Sequence, residues 1–321
     1  MADIRILADD LTGACDTGVQ FAQRGLRTVV TLDGSSHDCD VLVRSTGTRN
    51  DPPPVAYRTV RNACEMLNPG GPGLFYKKID STLRGPVAAE LVAAINAGAR
   101  TPAILCPAFP EQGRTVVAGE LRSSGIRIGL RGIVGRLPID IRDASTSDEL
   151  EQIAASALRD PIPMLVGSAG LARAAAGFYG HAGAAGGADV AGQGRVILCI
   201  GSEHPVTANQ IARLEETESR HTLHRVDFNS TPRIESELET MRAGGVFFCG
   251  GDTALYLCRA FGVRAILLER EVLPGVPIGR LIGGPGHGLA VITKSGGFGA
   301  PDTLTCVVRV LSGQNRREVD E

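Results

Sequence analysis

Short apolar runs rich in β-branched residues alternate with longer segments of helical period along almost the whole chain. That rhythm belongs to a parallel sheet covered by helices on both faces. Ile4 to Ala8 predicts a first buried strand, Thr12 to Arg24 a helix closed by Gly25, and Thr28 to Leu32 and Val41 to Arg44 two more strands. A helix over Pro54 to Leu67, a strand over Leu74 to Ile79, a helix from Pro86 to about Ala97 and a strand over Ala103 to Cys106 follow. Residues 111 to 136 break the rhythm with Gly, Arg and β-branched residues in short runs, and predict a hairpin-like excursion. Thr146 and Glu149 form a capping box ahead of a helix to about Leu158; Met164 to Val166 then reads as a strand and Leu171 to Phe178 as a short helix.

The stretch HAGAAGGADVAGQG, His181 to Gly194, offers little to bury and carries high backbone entropy, so it predicts a linker. After it the alternation restarts: strand Val196 to Ile200, helix Thr207 to Glu216, strand Leu223 to Asp227, polar helix Ile234 to Met241, strand Val246 to Cys249 and strand Ile266 to Leu268. The expected fold is therefore α/β with two domains, residues 1–180 and 195–321, each a mainly parallel sheet flanked by helices. A length of 321 residues suits two such domains.

Composition narrows the partners. The 33 basic and 35 acidic residues nearly cancel, so no global field recruits nucleic acid or an anionic membrane, and a small-molecule partner is favoured. Eight cysteines lie scattered without a C-x-x-C pair, several inside apolar runs, which fits buried thiols in a reducing compartment. MADIRILADD places carboxylates where a signal peptide needs an apolar stretch, and no apolar run reaches the length of a membrane span; a cytoplasmic location is expected. Thirty of the 33 basic residues are Arg, leaving Lys77, Lys78 and Lys294 as the only lysines. A compact ammonium charge in just two places points to anion or phosphate sites, although codon bias with accidental survivors gives the same count.

Four clusters carry candidate chemistry. Asp9, Asp10 and Thr12 in ADDLTGA stand at the carboxyl end of the first strand, where open α/β sheets bind ligands; one Asp, Asp10, is expected to cap the helix that follows. Arg49 in STGTRN, after the third strand, is placed to clamp a carboxylate with paired hydrogen bonds. In KKIDSTLRG the two lysines alternate along the strand and so face opposite sides of it, with Asp80, Ser81, Thr82 and Arg84 at its end. In CGGDTA, Gly250 and Gly251 permit close backbone approach at a helix N-terminus, and Asp252 is suited to act as a base or to hold Mg²⁺ through water. Lys294 before Ser295 and Gly296 suggests a phosphate loop, while the cluster GGPGHG brings His287 into reach of a ligand. No P-loop, dinucleotide fingerprint, nucleophile elbow or metal-ligand His spacing is present, and the metal ligands stay unassigned.

ADDLTGACD, KKIDSTLRGPVAAEL, CPAFPEQGRTV, CGGDTA and KSGGFGAPDTL, in that order, together resemble the four-carbon acid sugar kinase family, which phosphorylates threonate, erythronate and 3-oxo-tetronate. The resemblance implies an N-terminal substrate domain and a C-terminal nucleotide domain, with ATP phosphorylating the terminal hydroxyl of the acid. It further implies substrate contacts at Asp9, Arg49, Lys77, Lys78, Ile79 and Asp80, and ATP contacts at Ser202, Gly250, Gly251, Asp252, Thr253 and Gly296. ATP and Mg²⁺ are the implied cofactors. Asp252 is the first choice for general base, with Asp9 second. The chain departs from the pattern at His204, where the family has a second Ser, and in a shorter stretch between Gly201 and Gly250. That shortening motivates the alternative of a non-catalytic nucleotide- or acid-binding regulator. An NAD-dependent dehydrogenase is disfavoured, because the first strand does not lead into a glycine-rich turn; a homodimer is left open.

Overall fold

The computed structural model describes residues 3–35, 37–159, 161–180, 196–217, 221–226 and 244–314. The expected linker over residues 181–194, the polar helix Ile234 to Met241 and the Asp227 end of a strand lie outside the described residues.

The first strand, β1 (Ile4–Ala8), is buried at every position because helices cover both of its faces, which is why it reads as a continuous apolar run rather than an alternating one. Beside it lie β3 (Val41–Ser45) on one side and β4 (Leu74–Lys78) on the other, both parallel to it. With β2 (Thr28–Thr31), β5 (Ala103–Cys106), β9 (Ile139–Ile141) and β10 (Leu165–Gly167) they form a parallel array in the order β2-β3-β1-β4-β10-β5-β9. Sequence order reverses direction around β1, so a crevice opens at its carboxyl end.

The later strands repeat the arrangement. β11 (Val196–Ile200) lies between β12 (His221–Arg225) and β13 (Gly245–Cys249), and β16 (Ala290–Lys294) follows β13, all parallel. A second switch point therefore falls at the ends of β11 and β13. β14 (Ala265–Leu273) and β15 (Val276–Ile282) were not anticipated at this length. They run antiparallel, and β14 also pairs antiparallel with β2, joining the two arrays into one 13-stranded sheet. The apolar core crosses the same seam: Ile6 and Val30 belong to one cluster with Ile197, Phe248 and Ile266.

Helix α1 (Leu11–Ala22) sits at this junction with all twelve residues buried. Its neighbours include β14 and the helix Gly251–Ala260 as well as the first array. The expected excursion is a three-stranded antiparallel sheet, β6 (Thr115–Val117), β7 (Glu120–Ser123) and β8 (Ile126–Gly129), followed by a short helix Leu130–Val134. The capping box at Thr146 and Glu149 is formed as anticipated. None of the eight cysteines is joined in a disulfide, and six of them are buried. No helix among the described residues is long and apolar enough to cross a membrane.

Candidate functional site

The carboxyl ends of β1, β3 and β4 and the loops after β11, β13 and β16 face one another across a cavity of about 550 Å³. From the first array come Asp10, Arg49, Lys78, Asp80 and Arg84, and from the second come Ser202, Gly250 to Thr253 and Ser295 to Gly297. The two halves touch closely here. A Cβ on Gly251 would lie 2.2 Å from Asp10 Oδ2, and the Thr12 and Ser295 hydroxyls are 3.1 Å apart. Only a residue without a side chain fits at position 251.

Asp10 caps α1 as expected, accepting from Gly13 N at 2.8 Å, but it also accepts from Thr12 Oγ1 and from Arg49 Nη1 at 2.5 Å. The Arg49 fork is turned onto Asp9, with Nε and Nη2 donating at 2.7 and 2.8 Å. Three of its five N–H groups are thus engaged, leaving two for a ligand. Burial alone would lower the Arg49 pKa, yet Asp10 and Asp9 more than offset it and hold it above its ordinary value. Burial likewise opposes ionisation of Asp9, and Arg49 overcomes it, so the Asp9 pKa lies below the ordinary carboxylate value. Asp80 accepts from Arg84 Nε and Nη2, both at 2.9 Å, and from the Thr82 hydroxyl; against the cost of burial, these bonds and Arg49 push its pKa well down.

The two adjacent lysines do face opposite sides of β4. Lys78 lines the cavity and donates to Ile79 O at 2.8 Å. Lys77, fully buried, pairs with Glu90 of the helix Val87–Asn96 at 2.7 Å, behind the cavity wall. Asp9 and Ile79 also stand outside the lining, Asp9 acting through Arg49 and Ile79 packed in the core.

On the opposite wall, Gly250 has φ +105°, a left-handed conformation that glycine adopts without strain, and it opens the Gly251–Ala260 helix toward the cavity. Its first turn and the loops at Gly201–Ser202 and Ser295–Gly297 line the same wall, and a helix N-terminus beside glycine-rich loops is suited to an anion. Asp252 lines the cavity and accepts from Asn50 Nδ2 at 2.6 Å. Lys294 does something other than the sequence suggested. Its buried ammonium turns inward and donates to the carbonyls of Ser295, Gly296 and Phe298 at 3.0 to 3.3 Å, so it holds the shape of the loop rather than meeting a ligand. Burial lowers its pKa. The GGPGHG cluster forms the β15–β16 turn away from the cavity, where His287 Nδ1 accepts from Gly283 N at 3.1 Å.

Several lining residues escaped the sequence reading: Asp16, Asn50, Arg114, Ser168 and Phe298; His204, noted in the sequence for its departure from the family pattern, lines the cavity too. Asp16 follows Thr12 by four residues on α1, a spacing that places both on one helix face and could have drawn attention to it. Arg114 stacks over the Phe298 ring, 5.3 Å from its centroid, and Phe298 packs edge-on to Phe109. This aromatic and cationic bridge between the halves has no local sequence signal.

A phosphate-bound Mg²⁺ needs only one or two carboxylates besides the phosphates. Among the described residues no group of three or more His, Cys, Asp or Glu is placed to hold a metal alone; Asp10 and Asp252 both line the cavity, the number of carboxylates such an ion takes from a protein.

Residues 4–129 match the profile of a sugar-binding N-terminal domain and residues 232–304 that of a nucleotide-binding C-terminal domain. A D-threonate kinase from Bordetella bronchiseptica is 30% identical over 94% of this chain and 95% of its own. A D-erythronate kinase from Heliobacterium modesticaldum is 25% identical over 97% and 98%. The first alignment runs over 394 positions against a chain of 321 residues, so that relative carries stretches with no counterpart here. Among solved structures, a B. bronchiseptica protein with bound citrate, a domain-swapped dimer, is 28% identical with a TM-score of 0.51 and covers 97% of this chain and 98% of its own. A Haemophilus influenzae protein shares the fold at a TM-score of 0.69 and 17% identity, covering 98% of this chain and 100% of its own. Full-length similarity to these kinases, with both domain profiles matched in order, makes this chain a member of the four-carbon acid sugar kinase family.

Proposed function

We propose that the protein transfers the γ-phosphoryl group of ATP to the terminal hydroxyl of a four-carbon acid sugar, of the threonate, erythronate or 3-oxo-tetronate type. The observation that carries the reading is the division of one cavity between a wall of Arg49, Lys78, Asp80, Arg84 and Arg114 and a wall of glycine-rich loops at a helix N-terminus. Phosphoryl transfer asks mainly for positioning and charge neutralisation, and the two walls divide these tasks. The cationic wall would hold the substrate carboxylate, with Asp80 and, through Arg49, Asp9 fixing the geometry of its donors. The domain boundaries follow the same division, residues 1–180 serving the acid and 195–321 the nucleotide.

Ser202, Gly250, Gly251, Thr253 and Gly296 would embrace the phosphates, and Mg²⁺, held with Asp252 or Asp10, would neutralise their charge. Asp252 is the proposed general base, its carboxylate oriented by Asn50 from the opposite wall. Asp9 is less suited, since both of its oxygens already accept from Arg49. Citrate in the B. bronchiseptica structure is a polycarboxylate, in keeping with an acid-binding fold. The dimer described for that protein extends the proposal to a homodimer here, checked by a solution mass twice that of the chain.

The test is a coupled ADP-release screen over four-carbon sugar acids of each configuration. One or more should be turned over, and Asp252→Asn should lose turnover while still binding the acid. A thermal shift with acid and ATP but no ADP would instead identify a binding regulator.

A further inference from the structure

Four carboxyl groups line the cavity, and three of them are spoken for. Asp10 is bound by the α1 cap and Arg49, Asp80 by Arg84 and Thr82, and Asp252 by Asn50. Asp16 is only 4% exposed, yet among the described residues nothing donates a hydrogen bond to its side chain, and Oδ1 is buried without a partner. A buried carboxyl in this state costs stability that a sequence selected for folding alone would shed by placing Asn or Leu there.

Across the same space stands Lys78, also 4% exposed, whose ammonium donates to Ile79 O. Its Nζ lies 3.0 Å from where a Cβ on Gly13 would stand, one turn of α1 before Asp16. Lys78 and Asp16 both line the cavity, but they form no ion pair with each other. An acceptor without a donor and an ammonium with spare donors, facing one space, are complementary to a single hydroxyl group.

We propose that Asp16 reads one hydroxyl of the acid sugar, accepting its O–H while Lys78 donates to the same oxygen, and so sets which acids are substrates. This rests on the kinase reading above. No bond is made or broken at Asp16; it orients substrate.

The charged groups that act on it most are Lys78 of β4, Glu271 of β14, Arg173 of the helix Ala169–Ala176 and Asp10 at the start of α1. Burial, with Glu271 and Asp10 adding to it and Lys78 and Arg173 opposing, raises the Asp16 pKa to about 7. The carboxyl changes its protonation state inside the working range of an enzyme, so recognition of the acid should vary with pH.

The experiment compares wild type, Asp16→Asn and Asp16→Ala on a four-carbon acid that is turned over and on its 2-deoxy and 3-deoxy analogues. On the hydroxylated acid both variants should raise KM roughly 10- to 100-fold, the range of one hydrogen bond to an ionisable group, with the KM for ATP within about twofold. On one of the two deoxy analogues the wild type should lose a similar factor and the variants should lose little more. The pH dependence of KM for the acid between pH 6 and 8 should flatten in Asp16→Asn. Equal losses on all three acids, an unchanged KM, or an ATP KM that moves as much as the acid KM overturns the proposal. If no acid is turned over by wild type, the kinase reading has failed instead. Calorimetric titration of the same acids then decides the Asp16 assignment alone, with tighter wild-type binding of the hydroxylated acid supporting it and equal binding overturning it.

Discussion

Lys77 and Glu90 form the most deeply buried ion pair described, with side chains 0% and 1% exposed and Nζ and Oε2 at 2.7 Å. Each is also hydrogen-bonded elsewhere: Lys77 donates to Lys78 O at 2.9 Å and the Thr48 hydroxyl donates to the other Glu90 oxygen. Truncating one partner strands the other charge. Lys77→Met should therefore cost about 3–5 kcal/mol, a large share of the roughly 5–15 kcal/mol that holds a domain together. Replacing both, as Lys77→Met with Glu90→Leu, removes the stranded charge and should recover most of that loss. Urea unfolding of the four proteins of the cycle measures both effects. A single-variant cost below about 1 kcal/mol, or a double variant no more stable than the singles, would refute the buried pair as a structural support of the site.

Asp16 gives a second pH signature, independent of any substrate. Its folded pKa of about 7 stands above an ordinary 3.8, so its contribution to stability falls as pH rises through that interval, by about 4 kcal/mol in all. Asp16→Asn should thus be stabilised relative to wild type by an amount that grows from pH 5 to pH 8 in thermal melts; a constant difference would refute the raised pKa. Gly251→Ala places a Cβ 2.2 Å from Asp10 Oδ2, and Asp10 is held by Arg49 and its own cap. Overpacking of about 1–3 kcal/mol at the seam should lower kcat/KM at least roughly tenfold with far-UV circular dichroism unchanged, and full activity would refute the close seam. Lys294→Met removes the donor shared by three carbonyls of the 295–298 loop, so the KM for ATP should rise roughly tenfold or more while the acid KM stays within about twofold. Equal changes in both would place Lys294 elsewhere in the mechanism.

Much of the fold was legible because it rests on local pattern. Buried parallel strands such as Ile4–Ala8 and Val196–Ile200 announce themselves as continuous apolar runs, and Thr146 with Glu149 announces a helix start. β14 and β15 were missed or shortened because Glu269, Arg270 and Glu271 interrupt the apolar run. There a β-bulge shifts the register and side chains reach across the seam, Glu271 accepting from Gln20 and Arg173. The antiparallel pairing of β14 with β2, which fuses the two arrays, joins segments more than 200 residues apart and leaves no local trace.

The site was half legible for the same reason. Residues at strand ends and in glycine-rich turns, from Asp10 to Gly296, were found where strand ends had to be. Alternation along β4 correctly placed the two lysines on opposite faces, but not which face met the ligand. The count of lysines misled in part: of three, only Lys78 lines the cavity, while Lys77 and Lys294 spend their charge on Glu90 and on loop carbonyls. Asp16 and Arg114 carry no turn or strand-end signal, because what makes them notable is the absence of a partner in one case and a ring from the other half in the second.

The central claim is that one cavity brings an acid sugar and ATP together for transfer. Incubating the protein with ATP, Mg²⁺ and each four-carbon acid, and following the mixture by phosphorus NMR, tests it most directly. The account expects ADP and a phosphate monoester on the terminal carbon of the acid to appear in equal amounts. ADP accompanied only by inorganic phosphate, or binding of both ligands with no ADP at all, would contradict it.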